Sequence, residues 1–212
     1  MSFEFEVRRG LGAGFSNASN PKPQMIPMGQ LVVVDFYTAA LLDGRGYSVR
    51  AGTITAPLTG DIAVTDTAAE MSADAASGTT IMPIYLNAQV ESLNGGTLPE
   101  IAAKSVATVS SAGTAFTPLP LKSDGSAAVS TARVQGAGAV TVTAELATTT
   151  QRHFANVVAA AGDVILANKE FRPAPVLIGA RCFYVQIAGV TAGPLYFASF
   201  DYLEFQDDMI NP

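Results

Sequence analysis

The chain has no tryptophan, one cysteine and one histidine in 212 residues, and only 14% of its residues are charged. Each shortage excludes something. A single cysteine, Cys182, rules out an intramolecular disulfide, a redox CxxC pair and a zinc knuckle. Mid-strand, it reads as a buried small apolar residue. A single histidine, His153, rules out HExxH and every multi-histidine metal site. No Gly-x-Ser-x-Gly elbow accompanies it, so a Ser–His–Asp triad has no support and a surface or structural role is expected. Without tryptophan, the strongest stacking surface for a sugar is missing. No run reaches the roughly 20 apolar residues of a spanning helix. The longest, Val176–Ala188, is broken by Gly179 and Arg181. No apolar leader segment is read at the start of the chain, and synthesis in a reducing cytoplasm is expected.

A globular chain normally carries about a quarter charged residues. The deficit here points to a surface of Ala, Thr, Ser and Gly, partly hidden in an assembly. Net charge is −6, and it is uneven. Residues 1–50 carry five basic and four acidic side chains; the remainder carries seven basic and fourteen acidic. An acidic body argues against broad phosphate-backbone binding. Arg8 and Arg9 alone make no nucleic-acid patch.

The pattern is that of a mainly β chain: an antiparallel β-sandwich or jelly roll with an extended N-terminal arm and at most one or two short helices. Residues 1–29 read as the arm. Phe3, Phe5 and Val7 alternate with Glu4 and Glu6, and then Gly10, Gly12, Gly14, Pro21, Pro23 and Pro27 remove all periodicity. Gly10–Gly14 is no dinucleotide fingerprint, because Phe15 stands where the third glycine belongs and no helix follows. Residues 30–212 read as one β-sandwich domain.

Within it, Leu31–Tyr37 predicts a buried strand and Tyr47–Arg50 its return. Short strands are expected at Thr53–Ala56 and Asp61–Thr65. Thr67–Ser77 is a short helix with a capping box at Thr67 and Glu70, or else a loop. Thr80–Val90 is a clear strand, with Met82, Ile84, Leu86, Ala88 and Val90 on one face. Pro83 places it at an edge or on a bulge. Asn94-Gly95-Gly96 is a turn. Further strands are expected at Ser105–Val109, Ala115–Leu121 and Ala127–Val134, with Asp124-Gly125 as a hairpin turn. Ala139–Leu146 alternates, with Val140, Val142, Ala144 and Leu146 inward. Gln151–Ala161 is the best helix candidate, with Phe154, Val157, Val158 and Ala161 on one face. A strand at Asp163–Ala167 precedes the C-terminal pair. That gives ten to twelve strands.

The richest stretch is Pro175–Phe205. Arg181–Ala188 and Leu195–Phe205 predict a hairpin at the centre of the core. The second run carries Tyr196, Phe197, Phe200, Tyr202 and Phe205, and both of its faces are apolar. Its outer face is therefore covered, by the arm or by another subunit, unless the strand lies buried within one large core.

No catalytic, cofactor-binding or metal-binding residue is assigned. Asp61 with Asp66, and Asp207 with Asp208, are the only acidic pairs weighed for calcium, and neither has an EF-hand pattern. No cofactor, small-molecule substrate or membrane partner is expected.

Three features carry a resemblance: the Gly/Pro-rich arm, the strands of GAGAVTVTAELATTT, and the aromatic run PLYFASFDYLEF. Together they resemble β-rich structural proteins of viruses and tailed phages. The resemblance implies a jelly-roll-like sandwich, self-association around a symmetry axis with a trimer as the expected form, contact with other capsid proteins, and location in the virion. The function it implies is that of a non-enzymatic capsid, cement or decoration protein. The alternative is a carbohydrate- or receptor-binding module of a phage fibre or spike.

Overall fold

The computed structural model describes residues 35–63, 67–95, 100–136, 138–143, 151–156, 165–189 and 191–206. One helix, α1, spans Phe36–Leu42. The described strands run β1 (Gly46–Ala51), β2 (Leu58–Thr59), β3 (Ala68–Ala69), β4 (Met71–Ala75), β5 (Thr79–Ser92), β6 (Glu100–Val106), β7 (Ser111–Ala112) and β8 (Thr114–Phe116). They continue as β9 (Leu119–Pro120), β10 (Thr131–Val134), β11 (Val140–Thr141), β12 (Gln151–Asn156), β13 (Ile165–Glu170), β14 (Leu177–Ile178), β15 (Arg181–Ala188) and β16 (Leu195–Gln206).

They form two large antiparallel sheets and one small one. The first has the order β13-β5-β16-β1-β9, with β14 beside β5 and β2 beside β16. The second runs β12-β6-β15-β4-β10-β8, and the third β3-β11-β7. The fold is a mainly β, antiparallel, sandwich-like arrangement, as its alternating strands predict.

Three apolar layers hold it together. The central one lies between the large sheets: Val49, Leu86, Ala88, Tyr196, Phe200 and Tyr202 from the first meet Met71, Ala73, Ile101, Phe183, Val185 and Ile187 from the second. The other face of the first sheet packs Leu203 and Phe205 against Ala40, Phe36 and Leu41 of α1. The other face of the second packs Cys182, Tyr184 and Val106 against Ala69, Val140 and Val142. Both central strands are thus buried on two sides, as parallel-sheet strands usually are and one-sided sandwich strands are not.

The C-terminal pair corrects the hairpin expectation. β15 and β16 are not neighbours; β15 pairs β4 and β6, while β16 pairs β1 and β5. The segment between them crosses from one sheet to the other. Facing sheets lie about 10 Å apart, which six residues span easily. The cover over the outer face of β16 is also corrected: at Leu203 and Phe205 it is α1 of the same chain.

α1 replaces the end of the strand expected over Leu31–Tyr37, whose first four residues lie outside the described ones. The Asp35 carboxylate accepts from the Tyr37 and Thr38 backbone N–H groups at 3.0 and 3.1 Å, an N-cap. The other end closes in a Schellman turn. Gly44, with φ +76°, donates to Leu41 O, and Arg45 donates to Ala40 O, both at 3.0 Å.

β5 shows what a bulge does. Asp201 pairs Tyr85 and Tyr202 pairs Pro83, so Ile84 is extra. Parity flips there. Leu86, Ala88 and Val90 face the central core, but so does Ile81, while Met82 and Ile84 face α1. The expected single face from Met82 to Val90 holds only beyond the bulge. Pro83 sits beside the extra residue, as one of its two expected placements required.

Other expectations shift. Residues 67–77 hold β3 and β4, not a helix or loop. Gln151–Asn156 is β12, paired to β6, not the start of a helix; residues 157–161 lie outside the described ones. Thr53–Ala56 is a tight turn closed by reciprocal bonds of 3.1 and 3.0 Å. Of the strand expected at Asp61–Thr65, Asp61 makes one isolated bridge, to Ala188, and Val64 and Thr65 lie outside the described residues. The strand expected at Ser105–Val109 ends at Val106, and Ala115–Leu121 splits into β8 and β9, in different sheets. Asp124-Gly125 turns between sheets, not within a hairpin. Of Ala127–Val134 only Thr131–Val134 is strand. Asn94 and Gly95 form the expected turn, with φ +47° and +84°. The arm, residues 1–29, lies outside the described residues, as do Gly96, Ala144 and Leu146.

Candidate functional site

Polar groups buried in an apolar sandwich stay only where their hydrogen bonds are met. Three buried carboxyls stand out. Each uses its oxygens to hold a distant stretch of chain.

Glu70 sits between β3 and β4 and is 1% exposed. Its own N–H donates to Val185 O at 3.0 Å, and its carbonyl accepts from Gln135 N–H at 2.7 Å. Its side chain accepts from Asp61 N–H at 3.2 Å and Ile187 N–H at 2.7 Å. Burial pushes its pKa from 4.5 to about 8; the Asp61 charge adds to this, and the two N–H donors only partly oppose it. Burial also raises Asp61. The Tyr196 hydroxyl donates to Gln135 Oε1 at 3.0 Å, and burial, with the charges of Glu70 and Asp61, raises its pKa.

Asp74 on β4 accepts from the Ser110 N–H at 2.8 Å and the Ser110 hydroxyl at 2.6 Å. Ser110 Oγ lies 2.9 Å from Ser72 Oγ. Since Ser110 gives its proton to Asp74, Ser72 is the donor in that pair. Cys182 is Asp74's partner across the β15–β4 ladder. Burial, then the Asp74 charge, holds the Cys182 thiol well above its usual range. It is a protonated, enclosed thiol, not a nucleophile.

Glu204 on β16 accepts from Val129 N–H at 2.9 Å and Ser130 N–H at 2.8 Å. Ser130 Oγ lies 2.7 Å from the Tyr202 hydroxyl.

These three carboxyls spend their acceptors on backbone N–H groups and, at Asp74, on the Ser110 hydroxyl as well, and so fix loops. The residues singled out from sequence are not brought together. His153 lies on β12 opposite Ala102. Cys182 is buried, as expected. Asp61 serves the Glu70 junction, while Asp66, Asp207 and Asp208 lie outside the described residues. Among the described residues no group of three or more His, Cys, Asp or Glu could hold a metal ion, and no helix is long and apolar enough to cross a membrane. The sequence signal for the three carboxyls was a lone acid inside an apolar run: AAEM, SADA and YLEF. Glu70 also has the spacing of a capping box with Thr67, one of the two readings open for residues 67–77.

The outward feature is apolar. Leu42, Leu119, Leu121 and Val129 are 63%, 40%, 41% and 57% exposed. Leu119 and Leu121 lie alongside the start of β1, and Leu42 ends α1 shortly before it. Leu121 N–H donates to Gly46 O at 2.9 Å. Val129 is tied through Glu204, whose N–H donates to Arg45 O. Edge strand β9 does not invite strand addition here. Leu121 N–H faces β1, so the alternation turns Pro118 and Pro120 to the open side, where they offer no N–H.

No protein-family model, no curated protein and no solved structure matches the chain.

Proposed function

We propose that the chain is a non-enzymatic structural component of a virion, a capsid, cement or decoration protein, that acts by self-association and contact with other capsid proteins. The observation that carries this reading is the exposure of Leu42, Leu119 and Leu121 beside the start of β1, on a chain with 14% charged residues. A grouped apolar patch is costly on a free surface and ordinary in an interface. The inward use of Glu70, Asp74 and Glu204 supports a rigid scaffold. Support for self-association thus rests on the α1–β9 side, not on the outer face of β16.

Light scattering of the full chain tests it. A mass above the monomer at micromolar concentration, falling on Leu42→Lys with Leu119→Lys, is the expected result. A wild-type monomer overturns the self-association. Mass spectrometry of purified particles tests the location, and absence of the chain from them overturns it.

A further inference from the structure

We propose that the outer face of the first sheet, beyond the reach of α1, is a binding site for a neutral oligosaccharide. The inference is independent of the assembly reading.

Register and parity place the side chains. Ala167, Ala88, Ala198 and Val49 point into the central layer, so their strand neighbours Asn168, Asn87, Ser199 and Arg50 point outward. These four stand opposite one another in a single row across β13, β5, β16 and β1. Neighbouring strands lie about 4.8 Å apart, so the row is about 14 Å long. On one side of it Tyr85 is opposite Asp201; on the other, Gln89 is opposite Phe197. The rings of Tyr85 and Phe197, both half-buried, therefore bracket the row. α1 covers the other end of this face, at Leu203, Phe205, Met82 and Ile84.

The polar groups here are used differently from those elsewhere in the chain. Glu70, Asp74 and Glu204 spend their acceptors internally. The side-chain amides of Asn87, Gln89 and Asn168 and the hydroxyl of Ser199 make no hydrogen bond with another described residue, although they stand a strand apart. Asn is depleted in strands, yet two lie directly opposite each other. The two carboxylates opposite Tyr85 each stand beside an arginine: Asp201 beside Arg50, and Glu170 beside Arg172. That row is close to neutral and does not select an anion. What the face offers is amides, each both donor and acceptor, between two rings. The hydroxyls of a sugar also donate and accept, and its C–H faces lie well on aromatic rings. A peptide strand would instead add to a sheet edge, where backbone groups are open.

Isothermal titration of the full chain with maltotriose, cellotriose and triacetylchitotriose tests this, with sialyllactose as the anionic comparison. At least one neutral sugar should bind with a Kd of about 1 mM or tighter, and sialyllactose about tenfold more weakly. Asn87→Ala with Asn168→Ala should weaken binding about tenfold. Asn168 is exposed, so Asn168→Ala alone should weaken it about threefold and gives a reading even if the pair does not fold. No binding of the three neutral sugars, equal or tighter binding of sialyllactose, or affinity unchanged in both variants overturns the proposal. Binding that appears only after deletion of residues 1–34, or a lower mass of the double variant with no sugar bound by the wild type, gives the face to that segment or to a second copy and equally overturns it.

Discussion

The rings of Phe183 and Phe200 meet edge to face across the central layer, their centroids 5.3 Å apart and their planes at 70°. One comes from β15 and the other from β16, strands consecutive in the chain but central to opposite sheets. Phe171 extends the contact, at 5.5 Å and 87° to Phe183. Phe200→Ala should cost about 3–5 kcal/mol in urea unfolding. A double-mutant cycle with Phe183→Ala should leave a coupling of about 0.5–1.5 kcal/mol. Strictly additive losses would show that the two rings do not support each other.

Stability should fall as pH rises through neutrality. Folded Glu70 keeps its proton to about pH 8, while its unfolded reference is 4.5. Between those values the folded state holds a proton that the unfolded state has lost, so alkali favours unfolding. The contribution is fully present below pH 4.5 and is lost through pH 8. Its ceiling is about 5 kcal/mol. Asp61 and Asp201 are raised by burial and act in the same direction. Urea midpoints at pH 5, 6.5 and 8 should decline in order, and Glu70→Gln should flatten the decline without abolishing it. A midpoint rising from pH 5 to 8 contradicts the assignment.

Removing the Glu204 carboxylate should leave the buried Ser130 N–H without its acceptor. Val129, on an exposed residue, can turn to water. Glu204→Ala should therefore cost about 2–4 kcal/mol, and Glu204→Gln, which keeps one acceptor, should cost less. Equal losses in the two variants would mean that side-chain packing, not the two hydrogen bonds, sets the cost.

Two glycines should respond differently to alanine. At Gly46 the new methyl meets Leu41 Cδ2 at 2.2 Å, the movable end of a side chain. At Gly193 it meets the Gly60 carbonyl at 1.7 Å, which is backbone in a closed joint. Gly193→Ala should lower stability by about 3 kcal/mol or more and Gly46→Ala by about 1 kcal/mol. Thermal unfolding of the two variants ranks them, and the reverse order contradicts the close packing of the joint.

Much of the strand content was legible, because alternation has a period of two and shows in any short window. β5, β15 and β16 lie where their Val, Ile, Phe and Tyr place them, and Tyr196, Phe200 and Tyr202 are core residues as expected. What misled was a competing local pattern. The β-branched run Val32–Val34 made Phe36–Tyr37 look like more strand, whereas Asp35 caps a helix there. Thr67 and Glu70 have the spacing of a capping box, yet Glu70 is a buried clamp. Phe154, Val157 and Val158 fit a helix face, yet Gln151–Asn156 pairs with β6, where tertiary contact outweighs propensity.

The sequence by itself determined that this chain is β-rich, poor in charge, without a second cysteine to pair with Cys182, and stopped by glycine and proline at its turns. Only the tertiary structure decided which strand lies beside which. Alternation states that a residue points inward but not across which layer, and β15 offers the same apolar edge to β4 and β6 that it could offer to β16. The choice is made by burial summed over distant segments: separating β15 from β16 lets Phe183 and Phe200 face each other and leaves both other faces for α1 and the small sheet to cover. One extra residue, Ile84, then reverses the parity of β5, and that reversal sends Ile81 into the centre and Met82 and Ile84 to the helix. Pro83 within β5 left a bulge or an edge open, and the choice is set by the partner strand, which no window of β5 alone contains.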